Sequence, residues 1–414
     1  MNSANRISKP PAKPISNYTL YKFNLSTEDF KLVDKIDELR ENPPLIVIAK
    51  CIKSVSFIQN YFRPQKIIKD SQYVMGITTF QQLQYDMRDV SRYLKPSDIQ
   101  FRKNYKPYMG QDLNGKTLLV WRSGGIGDLL FIKPNLNYLK EKYPDCKILF
   151  ACGPQYQPMV ETWTDCVDEL LTLPFNVNKL LFSDYHALFE GVIERTKEAH
   201  EICSYNLFSK WLGLNLPDEL LVPKQEPNKE EVENCIKILL DNNIEEKKFV
   251  IMQLRASSII RTPRPEILEK IVKFVIDKGY KVLVTDNPIK AHEVEMFVKR
   301  VGSENIINFA KFSKTIATTI ALTSLAKMTI SPDTSLLHIA ESVGTKSLGI
   351  YGPFLGKVRL STYKNTEWVD CKRSCAPCFK HGQNLCTNAS NGYPLCFDNI
   401  NYNEVFEKIE RQLS

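Results

Sequence analysis

Four polar residues in the segment 327–353 have the types and the spacing of a phosphate-binding site: Asp333, Thr334, Ser335 and His338. The hydroxyls and backbone N–H groups of Thr334 and Ser335 are expected at the start of a helix, where partial positive charge readily holds phosphate. His338 follows about one helical turn later and is expected to face the same crevice. The simpler interpretation is that Asp333 or Thr334 only caps the helix and that His338 is a core imidazole.

The apolar pattern predicts the elements that would position these residues. Residues 327–331 predict a short buried strand, residues 335–343 carry apolar side chains at helical spacing, and residues 347–351 predict a second strand. Such a strand–loop–helix–strand unit builds parallel sheets, which bind ligands in the loops that leave the carboxyl ends of their strands. The polar residues are therefore expected at the ligand-binding edge of a sheet.

A second polar loop, RASSIIRT at residues 255–262, follows a predicted strand at residues 249–254. Its arginines, Arg255 and Arg261, and its three hydroxyl side chains suit a diphosphate, because guanidinium groups bind phosphate by charge and by paired hydrogen bonds. The loop is expected at the same sheet edge as the first motif. A solvated loop with two ordinary arginines is the alternative interpretation.

A glycine-rich turn, SGGIGD, separates a predicted strand at residues 117–122 from a predicted helix at residues 129–143. Gly125 and Gly127 would let the backbone approach a ligand closely. Asp128 offers a carboxylate that could act either as a general base or as a helix N-cap. The turn lacks the G-x-G-x-x-G spacing of dinucleotide-binding folds, which argues against a nicotinamide-dependent oxidoreductase.

Five of the eleven cysteines lie between residues 371 and 396. Cys375 and Cys378 form the tight C-x2-C pair of tetrahedral metal sites, and Cys386 and Cys396 follow at spacings that a loop can close. Four thiolates suit one structural Zn²⁺ or iron ion and leave Cys371 as a spare thiol. Free or disulfide-bonded cysteines are the alternative, although disulfides are rare in intracellular proteins.

The composition of the 414 residues is that of a globular protein and predicts about two or three domains. No apolar run reaches membrane-spanning length and the polar start lacks a signal-peptide core, so a cytoplasmic protein is expected. Residues 1–116 hold 19 Lys and Arg against 11 Asp and Glu, which accounts for the whole net charge of +8. This basic region could contact a membrane surface peripherally, whereas no motif predicts binding to nucleic acid.

Predicted strands and helices alternate along most of the chain, so the expected fold class is α/β with doubly wound parallel sheets. The first 110 residues are expected to form a small basic α/β domain with a disordered start. Two larger Rossmann-like domains are expected at residues 111–225 and 226–414, and the second carries the cysteine-rich segment 371–396.

The order of the motifs GGIGDLL, IRTPR and SPDTSLLHIAESVGTKSLGIYGP resembles the ADP-heptose:lipopolysaccharide heptosyltransferases of glycosyltransferase family nine. The resemblance runs from about residue 116 to the C-terminus. The cysteine-rich end is most similar to the autotransporter heptosyltransferase branch, whose members bind iron through four cysteines, and so favours iron over zinc. The resemblance implies the GT-B type fold, in which the first Rossmann-like domain binds the acceptor and the second binds the nucleotide sugar.

The resemblance also implies roles for single residues. Asp128 would be the general base that deprotonates the acceptor hydroxyl, Asp333, Thr334 and His338 would grip the nucleotide sugar, and Arg261 would hold its phosphates. An inverting transfer of heptose from ADP-heptose to a glycan or protein hydroxyl is expected, with no catalytic metal. The alternative is a non-catalytic protein that binds nucleotide sugars or glycans on the same fold. The acceptor and the oligomeric state stay open.

Overall fold

The computed structural model describes residues 34–35, 46–51, 55–58, 64–76, 94–98, 105–380 and 386–414. The disordered start predicted for residues 1–18 and the helices predicted around residues 26–39 and 82–94 lie outside these ranges, apart from isolated positions.

The strands within the described residues are β1 (Ile46–Cys51), β2 (Val55–Ile58), β3 (Pro64–Ile67), β4 (Gln72–Gly76), β5 (Leu94–Asp98), β6 (Thr117–Trp121), β7 (Lys147–Cys152), β8 (Glu169–Thr172), β9 (Phe175–Asn176), β10 (Tyr185–Leu188), β11 (Phe249–Gln253), β12 (Lys281–Thr285), β13 (Ile306–Asn308), β14 (Met328–Pro332), β15 (Lys346–Tyr351), β16 (Thr366–Asp370), β17 (Ala389–Ser390) and β18 (Tyr393–Pro394).

The α-helices in the same ranges are α1 (Ile126–Lys142), α2 (Gln157–Val160), α3 (Asn178–Leu181), α4 (Val192–Arg195), α5 (Ser204–Trp211), α6 (Lys229–Asp241), α7 (Pro265–Asp277), α8 (Ala291–Val301), α9 (Ile316–Leu325), α10 (Ser335–Ser342), α11 (Gly356–Leu360) and α12 (Tyr402–Leu413). Short 3-10 turns lie at Pro154–Tyr156, Lys197–His200, Asp218–Leu220, Ile259–Arg261, Pro288–Lys290 and Leu395–Asn399. In the part of the chain described, no helix combines the length and the apolar character needed to cross a membrane.

The described N-terminal strands form antiparallel pairs. Strands β5, β1, β4 and β9 make one sheet in that order, and β2 pairs with β3 in another. Strand β9 comes from the region predicted as the next domain, so the N-terminal sheet is joined to that domain by backbone hydrogen bonds. Antiparallel pairing needs only short connections, in contrast to the longer crossovers of a parallel sheet.

The first parallel sheet has the order β10-β6-β7-β8. Its strand β6, TLLVW, is buried from Leu118 to Trp121, because one face packs on helix α1 and the other face packs on side chains of β4 and β9. The glycine-rich turn leaves the carboxyl end of β6 and leads into α1.

The second parallel sheet has six strands in the order β13-β12-β11-β14-β15-β16. Strand β11 lies beside β14, and β14 lies beside β15, so the loops after these three strands meet at one edge. The shared edge that we predicted for the loop at 255–262 and the motif at 333–338 is therefore present.

The two parallel sheets are joined by a buried apolar cluster. Phe131 and Tyr205 enter it from the first unit, and Leu337 and Tyr363 enter it from the second. The segment at the predicted boundary near residue 225 also contacts both units, since the buried Gln225 accepts from Trp163 Nε1 at 2.7 Å and its backbone N–H donates to the Ser342 carbonyl at 2.8 Å. The carboxyl edges of the two sheets thus contribute to a common cleft.

Candidate active site

The glycine-rich turn brings the two parallel-sheet units into close contact. Gly125 has a φ of 88°, and a Cβ there would lie 2.5 Å from Oδ2 of Asp128. A Cβ at Gly127 would lie 2.6 Å from Cδ2 of His338, which belongs to the second unit. Both positions therefore need glycine, and the turn lies directly against His338.

Asp128 lies in the first turn of α1, because that helix begins at Ile126, three residues earlier than predicted. The N-cap is Gly125, so the carboxylate of Asp128 is not the N-cap group that the simpler interpretation required. Its Oδ2 instead accepts a hydrogen bond from Nη2 of Arg122. The Asp128 side chain is 18% exposed, which leaves it accessible from the cleft.

Arg122, at the end of β6, contacts three carboxylates. Its Nη2 also contacts Glu194 at 3.1 Å, and its Nη1 lies 3.6 Å from Glu190 and donates to the Phe189 carbonyl at 2.9 Å. The guanidinium is buried, whereas the Glu194 side chain is 41% exposed. One cation facing three carboxylates leaves this cluster with an excess of negative charge.

The environment of Asp128 favours its action as a base. Burial raises the pKa of the Asp128 carboxyl above its ordinary value; Glu194 acts in the same direction, and the ion pair with Arg122 opposes both. A carboxylate with a raised pKa is a stronger proton acceptor than an exposed aspartate. Sequence reasoning missed Arg122 and Glu194, although an arginine that ends an apolar strand just before a glycine turn was a usable signal.

We expect Glu194→Gln to move the acid limb of the pH–rate profile to lower pH. The substitution removes a negative charge beside Asp128, so the pKa of Asp128 falls and the ionised base persists at lower pH. The measurement is kcat across the pH range, with Glu233→Gln on the exposed face of α6 as the matched control. An acid limb that stays in place or moves to higher pH would show that Glu194 does not tune the base.

Arg261 and Asp333 form an ion pair across the loops after β11 and β14. Nη1 of Arg261 lies 3.2 Å from Oδ2 of Asp333 and 3.1 Å from its carbonyl oxygen, and Nη2 donates to Oγ of Ser257 at 2.6 Å. Burial alone would raise the pKa of Asp333, but Arg261, Arg359 and His338 outweigh it and lower that pKa. Asp333 is therefore a buried carboxylate held in its charged form.

Thr334 is the N-cap of α10. Its Oγ1 accepts from the N–H of Leu336 at 3.2 Å and lies 2.6 Å from Oγ of Ser331. The cap of the simpler interpretation is thus present, and Ser335 is the first residue of the helix. The N-terminus of α10 lies beside the ion pair of Arg261 and Asp333, which is where an anion would gain from the helix dipole.

His338 is buried at the contact between the units. Its ring packs edge-on against Phe131 of α1 with centroids 4.9 Å apart, and its Nδ1 lies 2.6 Å from the hydroxyl of Tyr363. Burial lowers the pKa of His338 to about 4, with Arg359 and Arg261 acting in the same direction, so the imidazole is neutral at pH 7.

The hydrogen-bond chain Tyr205–Tyr363–His338 determines which ring nitrogen carries the proton. The buried hydroxyl of Tyr205 has the hydroxyl of Tyr363 as its partner within the described residues, and it is satisfied as a donor only if it donates to Tyr363. Tyr363 then donates to Nδ1 of His338, which places the ring proton on Nε2, the nitrogen nearer to Gly127. His338 can therefore donate toward the glycine turn.

Arg255 has a different environment from Arg261. Its Nε lies 3.0 Å from Oδ2 of Asp286, and its Nη1 is paired with Glu293 at the start of α8. Two carboxylates thus already neutralise Arg255, whereas Arg261 points to Asp333. Spacing in the loop could not distinguish the two arginines, because their partners come from different elements.

The four cysteines of the predicted metal set line one small cavity. Cys375, Cys378, Cys386 and Cys396 surround a volume of about 20 Å³, together with Ile260 from the Arg261 loop and other neighbours. Burial raises the pKa of Cys396 to about 12, and the other three thiols act in the same direction. Across the described ranges, which omit residues 381–385, no three His, Cys, Asp or Glu residues are grouped so that they could hold a metal ion.

Residues 196–387 match the sequence profile of glycosyltransferase family 9 (heptosyltransferase). This segment of the chain is thus similar to the glycosyltransferase family 9 heptosyltransferases. The matched segment contains the Arg261 loop, the motif at residues 333–338 and part of the cysteine-rich segment. A search of curated protein sequences finds no match.

Solved structures with the same fold include ADP-heptose lipopolysaccharide heptosyltransferase II of E. coli, with a TM-score of 0.55 at 15% identity over 72% of this chain and 98% of that one. A family 9 glycosyltransferase from Veillonella parvula DSM 2008 has a TM-score of 0.58 at 14% identity, over 73% of this chain and 98% of that one. The iron-containing dodecameric glycosyltransferase TibC from enterotoxigenic E. coli H10407 has a TM-score of 0.51 at 11% identity, with coverages of 89% and 96%.

These structural likenesses confirm the fold that was predicted for the chain. It has two facing Rossmann-like units of the GT-B type, as the motif resemblance implied. The N-terminal strands add an antiparallel sheet to the first unit. The predicted boundaries near residues 110 and 225 stay predictions.

Proposed function

We propose that this protein is a family 9 glycosyltransferase that transfers heptose from ADP-heptose to a hydroxyl of a glycan or a protein, with inversion at the anomeric carbon. The observation that supports the proposal is the proximity of Asp128, His338 and the Arg261–Asp333 pair at one cleft. The description of E. coli heptosyltransferase II as an ADP-heptose enzyme supports this choice of donor.

The proposed donor site lies at the carboxyl edge of the second sheet. Arg261, the N-terminus of α10 with Thr334 and Ser335, and the neutral His338 would hold the diphosphate and the sugar, while Gly125 and Gly127 let the backbone approach. Hydrogen bonds to charged groups contribute about 1.5–3 kcal/mol each, so Arg261 alone would change affinity substantially. Arg255 would contribute less, because Asp286 and Glu293 already neutralise it.

The proposed chemistry follows from where charge develops. When the bond between the anomeric carbon and the diphosphate oxygen breaks, the electron pair stays on the diphosphate, and cations and helix N–H groups stabilise it. Asp128 would take the proton of the acceptor hydroxyl as that oxygen attacks the anomeric carbon. Attack from the side opposite the leaving group inverts the anomeric centre.

A structural metal ion would organise the cysteine-rich segment. Four thiols line one cavity, and Zn²⁺ and iron are the ions that accept four thiolate ligands in tetrahedral sites. The description of TibC as iron-containing supports iron. Ile260 and Pro353 also line the cavity, so the ion would stabilise the Arg261 loop and the turn after β15. The peripheral membrane contact of the basic N-terminal region stays a prediction.

The test of the function is a panel of nucleotide sugars offered with glycan and peptide acceptors, with release of nucleoside diphosphate as the readout. We expect release with ADP-heptose above all other donors, and we expect ADP but not NAD to raise the melting temperature. Binding of ADP-heptose without turnover on any acceptor would favour the non-catalytic alternative. Preference for another donor would refute the choice of ADP-heptose.

A further inference from the structure

Arg359 is a buried cation at the same edge of the second sheet. It belongs to the short helix α11, which follows β15, the strand beside β14. The side chain is 5% exposed, and its Nη1 donates to Oγ of Ser204 in the first unit at 2.9 Å. The guanidinium also lies over the ring of Phe354, 4.6 Å from its centroid.

Within the described residues, Arg359 has no carboxylate within 4.0 Å of its guanidinium nitrogens. The other arginines of the cleft differ in this respect: Arg122 faces three carboxylates, and Arg261 is paired with Asp333. A buried charge without a counter-ion is costly to the folded state, and a ligand anion would remove that cost. Arg359 is thus an arginine at this sheet edge that the described residues leave without a carboxylate partner.

Neighbouring contacts place Arg359 close to the candidate site. Tyr205, which follows the Arg359 partner Ser204, packs on Phe131 at 4.2 Å between ring centroids, and Phe131 packs on His338. The charge of Arg359 lowers the pKa of both Asp333 and His338, which shows that it acts on the same groups as Arg261.

We propose that Arg359 binds the diphosphate of the nucleotide-sugar donor from the β15 side of the loop after β14, whereas the Arg261 loop lies on the β11 side. This inference rests on the proposed function and adds a second cation to its donor site. In the transfer step, the bond from the anomeric carbon to the diphosphate oxygen breaks with its electron pair on that oxygen. The acceptor oxygen forms the new bond, its proton goes to Asp128, and Arg359 stabilises the charge that remains on the diphosphate.

The experiment compares calorimetric titrations of wild type, Arg359→Gln and Ser204→Ala with ADP, UDP, AMP and inorganic pyrophosphate. We expect Arg359→Gln to weaken ADP and pyrophosphate binding by about ten- to hundredfold, with a smaller loss for AMP. Ser204→Ala removes the hydrogen bond across the cleft but keeps the cation, so its affinities should stay within about threefold of wild type. Arg359→Lys keeps the charge and should recover part of the lost affinity. It replaces Arg359→Gln in the titrations if the Gln variant does not fold.

The melting temperature without ligand distinguishes a binding role from a structural one. If the role of Arg359 is to bind an anion, Arg359→Gln should melt at the same temperature as wild type or above it. If Arg359→Gln and Ser204→Ala both melt at a lower temperature than wild type, the proposal is overturned. Unchanged pyrophosphate affinity in Arg359→Gln would also overturn it, as would a wild-type protein that does not bind pyrophosphate. Wild type that binds pyrophosphate but neither ADP nor UDP would refute the donor assignment and leave Arg359 as the anion-binding residue.

Discussion

Asp128→Asn is expected to lower kcat for sugar transfer by about 10²–10⁴-fold, the range attributed to a positioned general base. The amide still accepts a hydrogen bond from Arg122, and Glu190 and Glu194 still neutralise that arginine, so the fold should be retained. Affinity for ADP should be nearly unchanged, because the role proposed for Asp128 concerns the acceptor and not the donor. The measurements are nucleoside diphosphate release in the presence of acceptor, melting temperature and calorimetric affinity.

Asp165→Asn is the matched control for this substitution. Asp165 is an exposed aspartate of the same unit, and its carboxylate accepts from Asn137 of α1 at 3.0 Å. The Asp165→Asn substitution makes the same chemical change away from the cleft, so kcat should equal that of wild type. If Asp128→Asn melts like wild type and transfers sugar at a similar rate, Asp128 is not the base.

Replacing Cys375 and Cys378 together by serine is expected to remove the bound metal. The two thiols line one cavity with Cys386 and Cys396, and structural zinc sites in zinc-finger peptides hold their metal with apparent free energies of about 10–16 kcal/mol. Wild-type protein purified without a histidine tag should contain about one zinc or iron ion per chain by elemental analysis. The double variant should contain almost none and should melt at a lower temperature.

Cys371→Ala is the control for the cysteine variants. Cys371 is buried in the same region but does not line the cavity, so the metal content should not change. The N–H groups of Cys378 and Phe379 donate to the Pro353 carbonyl at 3.0 and 2.8 Å, so loss of the metal should also weaken ADP binding through the nearby loops. Metal that is absent from wild type, or that survives in the double variant, would refute the site.

Local patterns were sufficient to predict the strands and helices of the two parallel-sheet units. Strands β6 and β11 end one residue before the predicted position, and β14 and α10 differ from prediction by one residue at their ends. The agreement has a physical cause: parallel strands covered on both faces need continuous apolar runs, and helices need apolar residues at a spacing of three to four. The start of α1 was misplaced because Ile126 and Gly127 look like part of a turn, although Gly125 alone supplies the positive φ that the turn needs.

The motifs could not predict which carboxylate each arginine would pair with. Arg255 and Arg261 are equivalent in the loop sequence, yet Arg255 meets Asp286 and Glu293 while Arg261 meets Asp333. Which carboxylate reaches an arginine depends on the order of strands in the sheet, and β14 lies beside β11 although 74 residues separate Gln253 from Met328. The strand order follows from packing the whole chain and not from any local segment.

The sequence by itself determined the residue types available for chemistry: an aspartate after a glycine turn, a D-T-x-x-x-H motif, a loop with two arginines and a cysteine cluster. Only the tertiary structure decided how they act, by placing Glu194 beside Asp128, Tyr363 on Nδ1 of His338, and Arg359 in a buried position without a carboxylate. The physical reason is that side-chain identity is encoded locally, whereas burial and counter-ions are set by contacts between the two units. Burial and counter-ions are also what shift a pKa or leave a charge for a ligand to neutralise.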